Sequence, residues 1–289
     1  MIAEDLSVVI PTLGRELLRG CLDALAAADV RPAEVIVVDQ GRVATLEHMA
    51  EELRGAGLEV RYLPSARIGR SAGLNDGIRE VRTEFLAITD DDCIPARDWV
   101  ATAVSLLRRE PRTIVTGRVE AGAEGVQLSV STAREAMVQR RPRLTFDRLS
   151  GGNMAVSADV ARRVGPFEEQ ECMRTAEDAE YAYRALRAGF AIRYAPELVV
   201  THLGWRAEAE RAAQYRSYAR SHGGFYGSYL RRGDVFIALR AACHWLRSLR
   251  RWIIGSIRRD ADRASFGRAY ALGLLPGIIA GWQGKDGRS

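Results

Sequence analysis

A chain of 289 residues with 47% hydrophobic and 27% charged residues is long enough for one large domain, or for a domain with an appendage. That balance excludes a disordered or fibrous protein. The formal net charge is +5, yet acids gather in the first two-thirds and arginine dominates after about residue 205. This asymmetry argues against a nucleic-acid binder and for a basic appendage meeting an anionic surface. Cys21, Cys93, Cys172 and Cys243 form no CxxC pair, so free thiols in a reducing cytoplasm are expected rather than a disulfide framework. The first residues, Met-Ile-Ala-Glu-Asp-Leu, lack the basic-then-apolar order of a secretory signal.

Residues 6–10, Leu-Ser-Val-Val-Ile, form a short apolar run stopped by Pro11-Thr-Leu-Gly14, which predicts a buried first strand. Leu17, Leu18, Cys21, Leu22 and Leu25 then recur at helical spacing. Residues 34–38 make a second strand ending at Asp39, residues 45–55 a helix, and residues 58–63 a third strand. Residues 69–82 read as a helix with a glycine-rich start. It feeds the run Phe85-Leu-Ala-Ile-Thr89, which stops at Asp90, Asp91 and Asp92. Strands and helices alternating at this pitch predict a mostly parallel sheet flanked by helices. No GxGxxG follows the first strand, which disfavours a dinucleotide fold.

Ligands of such sheets bind outside the C-terminal strand ends, where the three aspartates fall. Adjacent carboxylates repel, so they need good solvation or a compensating cation. Alternation along an extended chain places Asp90 and Asp92 on one side and Asp91 on the other. Two hard oxygens on one side suit Mg2+ or Mn2+. The plainer reading is a solvated acidic loop.

Beyond residue 111 the expectations are a strand over residues 113–119 and a Gly-rich turn entering a strand over residues 149–156. A helix over residues 158–164, a longer one over residues 175–188 closed by Gly189, and two short strands over residues 191–194 and 198–201 follow. His202 comes directly after the last of these.

The chain at this point resembles the family 2 glycosyltransferases, inverting enzymes of the GT-A nucleotide-diphospho-sugar transferase fold. The matching segments are Ser7-Val-Val-Ile-Pro-Thr12, Val35-Ile-Val-Val-Asp39, Gly69-Arg-Ser-Ala-Gly-Leu-Asn-Asp-Gly77 and Ile88-Thr-Asp-Asp-Asp92. Ser150-Gly-Gly-Asn-Met-Ala155, Thr175-Ala-Glu-Asp-Ala-Glu-Tyr-Ala-Tyr-Arg184, and His202 before Gly204-Trp205 complete the series. The likeness covers about residues 5–205, and its ordered series is more specific than any single motif. One departure is clear: the family's Ala-Arg-Asn reads Gly73-Leu74-Asn75 here. Leu74 lacks the arginine's contact, and Arg67 or Arg70 is a candidate to replace it.

The resemblance implies a metal at Asp92 with Asp90 beside it, His202 as a further ligand, and Mn2+ or Mg2+ as the cofactor. A lone histidine is otherwise a surface or core residue. It implies donor-nucleotide contacts from Pro11, Thr12, Asp39, Arg70, Asn75, Asp90 and Asp91. Asp39 would accept from the base imide, the alternative being a turn or helix-capping aspartate. Gly152, Asn153, Glu177 and Trp205 would meet the sugar or acceptor. An Asn153 amide can bridge hydroxyls, and a purely structural turn is the competing reading. Asp178 would be the general base of an inverting transfer, although acids in a first helical turn also serve simply as dipole partners.

From Asp234 onward, Phe236, Leu239, Cys243, Leu246, Leu249, Ile253 and Ile257 recur on one helical stripe, with Arg240, Arg247, Arg251 and Arg258 beside it and Trp245 and Trp252 flanking. This pattern suits a helix in a membrane interface, and equally one packed on the catalytic domain. The apolar run over residues 269–282 is shorter than the roughly 20 residues a span needs.

Together these readings predict a GT-A catalytic domain over residues 1–205 and a helical, Arg-rich region over residues 206–289. The expected activity is inverting transfer of a sugar from a UDP- or dTDP-sugar to an acceptor hydroxyl. Glycan or lipid-linked acceptors of envelope polysaccharide, glycolipid or glycoconjugate synthesis fit, at the cytoplasmic face of a plasma membrane. A sugar-nucleotide nucleotidyltransferase would show a glycine-rich phosphate loop after the first strand. A non-enzymatic basic membrane-binding protein would leave Asp39, the triplet and Asp178 without a role.

Overall fold

The computed structural model describes residues 1–43, 45–122, 130–203 and 210–284. The chain divides into two units. The first comprises Met1–Arg141, Arg148–Phe167 and Arg184–Trp205, and the second Pro142–Asp147, Glu168–Tyr183 and Arg206–Ser289.

The first unit holds a nine-stranded sheet. Its strands are β1 (Ile2–Thr12), β2 (Arg31–Asp39), β3 (Val60–Pro64), β4 (Phe85–Thr89), β5 (Cys93–Pro95), β6 (Thr113–Ala121), β7 (Met137–Gln139), β8 (Asn153–Ser157) and β9 (Ala191–His202). The spatial order is β3-β2-β1-β4-β8-β6-β9-β5, with β7 beside β9. β3, β2, β1 and β4 are mutually parallel, and β6 is parallel to β9. β8 runs antiparallel to both β4 and β6, while β5 and β7 run antiparallel to β9. Every residue of β4 is buried, as expected of a strand covered on both faces.

The helices of this part of the chain are α1 (Leu17–Ala26), α2 (Thr45–Gly55), α3 (Arg70–Glu80), α4 (Trp99–Arg109) and α5 (Ala158–Val164). Leu18, Cys21, Leu22 and Leu25 of α1 and Trp99, Val100, Ala103 and Leu107 of α4 lie in one core with Leu6, Val8, Ile10, Val35 and Phe85. Apolar residues at three- and four-residue spacing give each helix one face to bury on the sheet. Ser157 caps α5, its Oγ accepting from Val160 N at 3.3 Å.

Three features differ from the sequence expectation. The two short strands expected over 191–194 and 198–201 are one strand, β9, whose pairing with β6 slips between Gly117 and Arg118. A bulge of this kind hides strand continuity from a period-2 pattern. β5 adds a short strand immediately after the aspartates. The aspartates themselves form a turn, closed by Cys93 N donating to Asp90 O at 3.1 Å, rather than a strand end.

The boundary between the units runs through α6 (Glu177–Arg187). The second unit is built chiefly from α7 (Arg211–Arg231), α8 (Val235–Arg258) and α9 (Ala261–Gln283). Asp234 and Asp260 cap α8 and α9, accepting from Ile237 N at 3.2 Å and Arg263 N at 3.0 Å. Helices α7 and α9 meet backbone to backbone. A Cβ on Gly277 would lie 2.1 Å from Arg220 O, and one on Gly281 would lie 2.0 Å from Gly224 O. Only glycine permits that approach.

The core of this unit gathers Tyr183, Phe225, Tyr226, Ile237, Tyr270 and Leu274. Arg240 pairs with Asp147 at 2.6 Å, both side chains fully buried, and its guanidinium lies 5.9 Å and 5.7 Å from the ring centroids of Tyr183 and Phe225. No described helix is long and apolar enough to cross a membrane.

Two histidines are buried in the same unit. Burial lowers His222 to about 4 despite the hydrogen bond with Tyr218 O, with Arg240 lowering it further. Burial likewise lowers His244, helped by His222, Arg247, Arg240 and Arg251. Tyr226, Tyr270 and Phe146 also pack against these rings. Because their folded-state pKa values lie below the ordinary histidine value of 6.5, both histidines favour folding fully above that pH. The contribution is lost as pH falls from 6.5 toward 4 and below. The expected result is a melting temperature that drops across this window, with a shallower drop in His222→Gln. A flat profile in the parent chain would disprove it.

Candidate functional site

The parallel register sets Thr12 opposite Asp39 and Val9 opposite Ile88, so the C-terminal ends of β1, β2 and β4 share one edge. Antiparallel pairing brings the start of β8 there, with Asn153 opposite Thr89. The β5–β9 pair places Cys93 opposite His202. Asp39, the aspartate triplet, Gly152, Asn153 and His202 therefore meet at one sheet edge.

Two arginines partly neutralise the triplet. Arg70, first residue of α3, donates from Nε to Asp90 Oδ1 at 2.7 Å. Arg15, on the loop after β1, donates from one guanidinium nitrogen to Asp91 Oδ1 at 2.8 Å and to Asp92 Oδ2 at 3.4 Å. Sequence reasoning missed Arg15, although the need for a compensating cation pointed to such a residue. Thr12 Oγ1 donates to Asp91 Oδ2 at 2.6 Å and accepts from Gly14 N at 2.9 Å. Burial raises the Asp91 carboxyl to about 6 against the opposing pull of Thr12 and Arg15, with Asp92 and Asp90 adding to the rise.

Asp90, Asp92 and Cys93 bring ligand atoms within 4.8 Å of one another. His202 Nε2 lies 3.7 Å from Asp92 Oδ1, and its Nδ1 is buried with no hydrogen-bond partner among the described residues. Two carboxylates and an imidazole make a donor set that fits Mn2+, and the carboxylates alone suit Mg2+. Cys93 was not foreseen. Burial first, then Asp90 and Asp92, raise its thiol well above the ordinary value, so it stays protonated beside the acids. Gly152 makes room here, since a Cβ on it would sit 2.6 Å from Asp90 Oδ2.

Leu74, in the place of the expected arginine, is fully buried. Arg67 is held by Asp76 at 2.6 Å, whereas Arg70, one turn before Leu74 on α3, reaches the triplet. Of the two substitutes considered, Arg70 is the one beside the acids.

Three of the residues expected to meet donor or acceptor are engaged within the chain. Asp39 is fully buried, and its carboxylate accepts from Gly41 N, Arg42 N and Val43 N at 2.8–2.9 Å and from Tyr62 OH at 2.9 Å. These bonds fit the turn-aspartate reading, with both oxygens engaged by the chain. Asn75 exchanges two hydrogen bonds with the backbone of Phe167, at 2.9 Å and 2.8 Å. Asn153 is fully buried, accepts from Trp99 Nε1 at 2.8 Å and donates to Arg118 O and Leu198 O, both at 2.9 Å. Its amide joins β6, β8 and β9, with both N–H donors given to backbone carbonyls. Pro11 is a buried residue of β1.

In the second unit, Glu177 and Asp178 occupy the first turn of α6. Asp178 is half-buried, and its Oδ1 accepts from Ala179 N at 2.7 Å. Glu177 is buried, and Glu180 accepts from Tyr229 OH at 2.6 Å. Trp205 lies outside the described residues.

The sequence model of a family described as "Glycosyltransferase like family 2" matches residues 3–223. The chain is similar to a pre-mycofactocin glycosyltransferase of Mycobacterium tuberculosis, 28% identical over 68% of this chain and 42% of that one. It is also similar to the glycosyltransferase AglE of Haloferax volcanii, 27% identical over 68% of this chain and 66% of that one. It thus spans about two-fifths of the length of the first relative and about two-thirds of the second. A mannosyltransferase of Pyrobaculum calidifontis, solved in complex with GDP-Man and Mn2+, superposes with a TM-score of 0.63 at 16% identity, over 97% of this chain and 88% of that one. That likeness shows the fold, a GT-A arrangement of sheet and flanking helices.

Proposed function

This chain belongs to the glycosyltransferase-like family 2, and on that premise we propose that it transfers a sugar from a nucleoside-diphosphate donor to an acceptor hydroxyl with inversion. A UDP- or dTDP-sugar is the proposed donor, and a glycan or lipid-linked molecule the proposed acceptor. The observation that carries the reading is the convergence of Asp90, Asp92 and His202 at one sheet edge with Arg15 and Arg70. The Mn2+ in the mannosyltransferase complex supports a divalent ion here.

Asp90, Asp92 and His202 would hold Mn2+ or Mg2+, which when bound supplies positive charge to the departing diphosphate. Arg15 and Arg70 add fixed positive charge beside the acids and orient their oxygens. Thr12 holds Asp91 in place, and Gly152 leaves space over Asp90 for the donor. The acceptor oxygen attacks the anomeric carbon as the bond to the diphosphate oxygen breaks, and Asp178 takes the hydroxyl proton. Glu177 would orient the acceptor. One such displacement inverts the carbon.

Asp92→Asn tests the assignment. Removing a direct ligand should weaken Mn2+ binding by no less than the roughly 10–100-fold typical of an outer-shell partner. Calorimetric titration of Mn2+ into the chain with UDP present reads this directly, and excess Mn2+ should restore part of the turnover. Parent-like Mn2+ affinity in the variant would remove Asp92 from the ligand set. A parent chain that releases no nucleoside diphosphate from any of UDP-, dTDP- or GDP-sugars with Mn2+ would count against the transfer itself.

A further inference from the structure

Helix α8 is amphipathic in the opposite sense to a helix packed by its apolar side. Its buried residues are Ile237, Arg240, Ala241, His244, Ser248 and Gly255, four of which are polar or glycine. Four residues of the apolar stripe read from the sequence face outward instead, while Phe236, Cys243 and Leu249 are half-buried. Val235, Leu239, Leu246, Ile253 and Ile257 are 73%, 56%, 58%, 50% and 75% exposed. At 3.6 residues per turn these five fall on one side of a rod about 36 Å long. Arg250, Arg251 and Arg258 are exposed on the same helix, Arg250 directly beside the row by helical angle, and Trp245, 42% exposed, flanks the row's other side. The helix contains no acidic residue.

We propose that this face of α8 docks the protein on an anionic phospholipid bilayer, lying in the plane of the headgroups. The apolar row supplies buried area, and the exposed arginines of the helix supply longer-range attraction to anionic headgroups. An indole at the border suits a boundary between apolar and wet surroundings. Charge selects this occupant over a second copy of the chain. Two such faces laid together would bring the exposed arginines, Arg250 above all, close with no acid on either helix to pair them. The exposed helix does not need to span, in keeping with the absence of a spanning helix among the described residues. The inference goes beyond sugar transfer and stands on α8 alone.

The test is co-sedimentation of the full chain with vesicles of phosphatidylcholine alone or mixed with phosphatidylglycerol. Binding is expected to the anionic vesicles and should weaken with added salt. Leu246→Glu with Ile253→Glu should lower the affinity at least about tenfold. Both positions are exposed, so helical circular dichroism should be unchanged. Each of Arg250→Gln, Arg251→Gln and Arg258→Gln should cost roughly fivefold. This arginine set decides the matter if the glutamate pair fails to fold. Three results would overturn the proposal: equal sedimentation with and without anionic vesicles, parent-like binding by both variant sets, or a dimer by light scattering that the glutamate pair dissociates.

Discussion

Asp178→Asn is expected to lower kcat about 10²–10⁴-fold, equivalent to roughly 3–5 kcal/mol of barrier, with little change in donor affinity. The amide keeps the oxygen that accepts from Ala179 N at 2.7 Å, so the first turn of α6 stays capped. What it loses is the capacity to take a proton. Loss of the charge near the helix start costs only about 0.3–1 kcal/mol of stability, too little to mimic the kinetic effect by unfolding. The loss should fall on kcat, because the proton moves only as the acceptor attacks. Glu177→Gln is the comparison, expected to cost less if that residue orients the acceptor. Parent-like turnover in Asp178→Asn would dismiss Asp178 as the base. A product retaining the donor's anomeric configuration would dismiss single-displacement chemistry altogether.

Asp147→Ala is expected to destabilise the protein by about 3–5 kcal/mol, because it strands a buried charge. Arg240 and Asp147 are both fully buried and 2.6 Å apart, so the arginine left behind has no access to water. Contacts with Tyr183 and Phe225 keep it in place, and they do not replace an anion. Removing both charges together, with Asp147→Leu and Arg240→Met, should recover much of the loss, since the desolvation penalty then disappears for both partners. The denaturant midpoint, followed by tryptophan fluorescence, measures each variant. A cost below about 1 kcal/mol for Asp147→Ala would place the pair among ordinary surface bridges.

Much of the chain's organisation is local, and the sequence carries it openly. Apolar runs at residues 6–10, 34–38 and 85–89 lie within β1, β2 and β4, and Leu18, Cys21, Leu22 and Leu25 mark the buried face of α1. These patterns are legible because burial of one face imposes a period on nearby residues. The aspartate triplet and its place after a buried strand were legible for the same reason, and the ordered motifs named the family.

What the tertiary structure alone decided concerns partners far apart in the chain. Arg15 reaches Asp91, and Asn153 reaches Trp99, Arg118 and Leu198. No local rule predicts which donor a buried acceptor will find. Asp39 shows the limit most plainly: its position at the strand end was readable, but the backbone of residues 41–43 and Tyr62 had already claimed its oxygens. Cys93 joined His202 only through the β5–β9 pairing. In α8 the periodicity disclosed two unlike faces but not which would be buried. The sense was set by Arg240 and His244, whose polar atoms meet Asp147 and Tyr226 in the core, and this turned the leucine row outward.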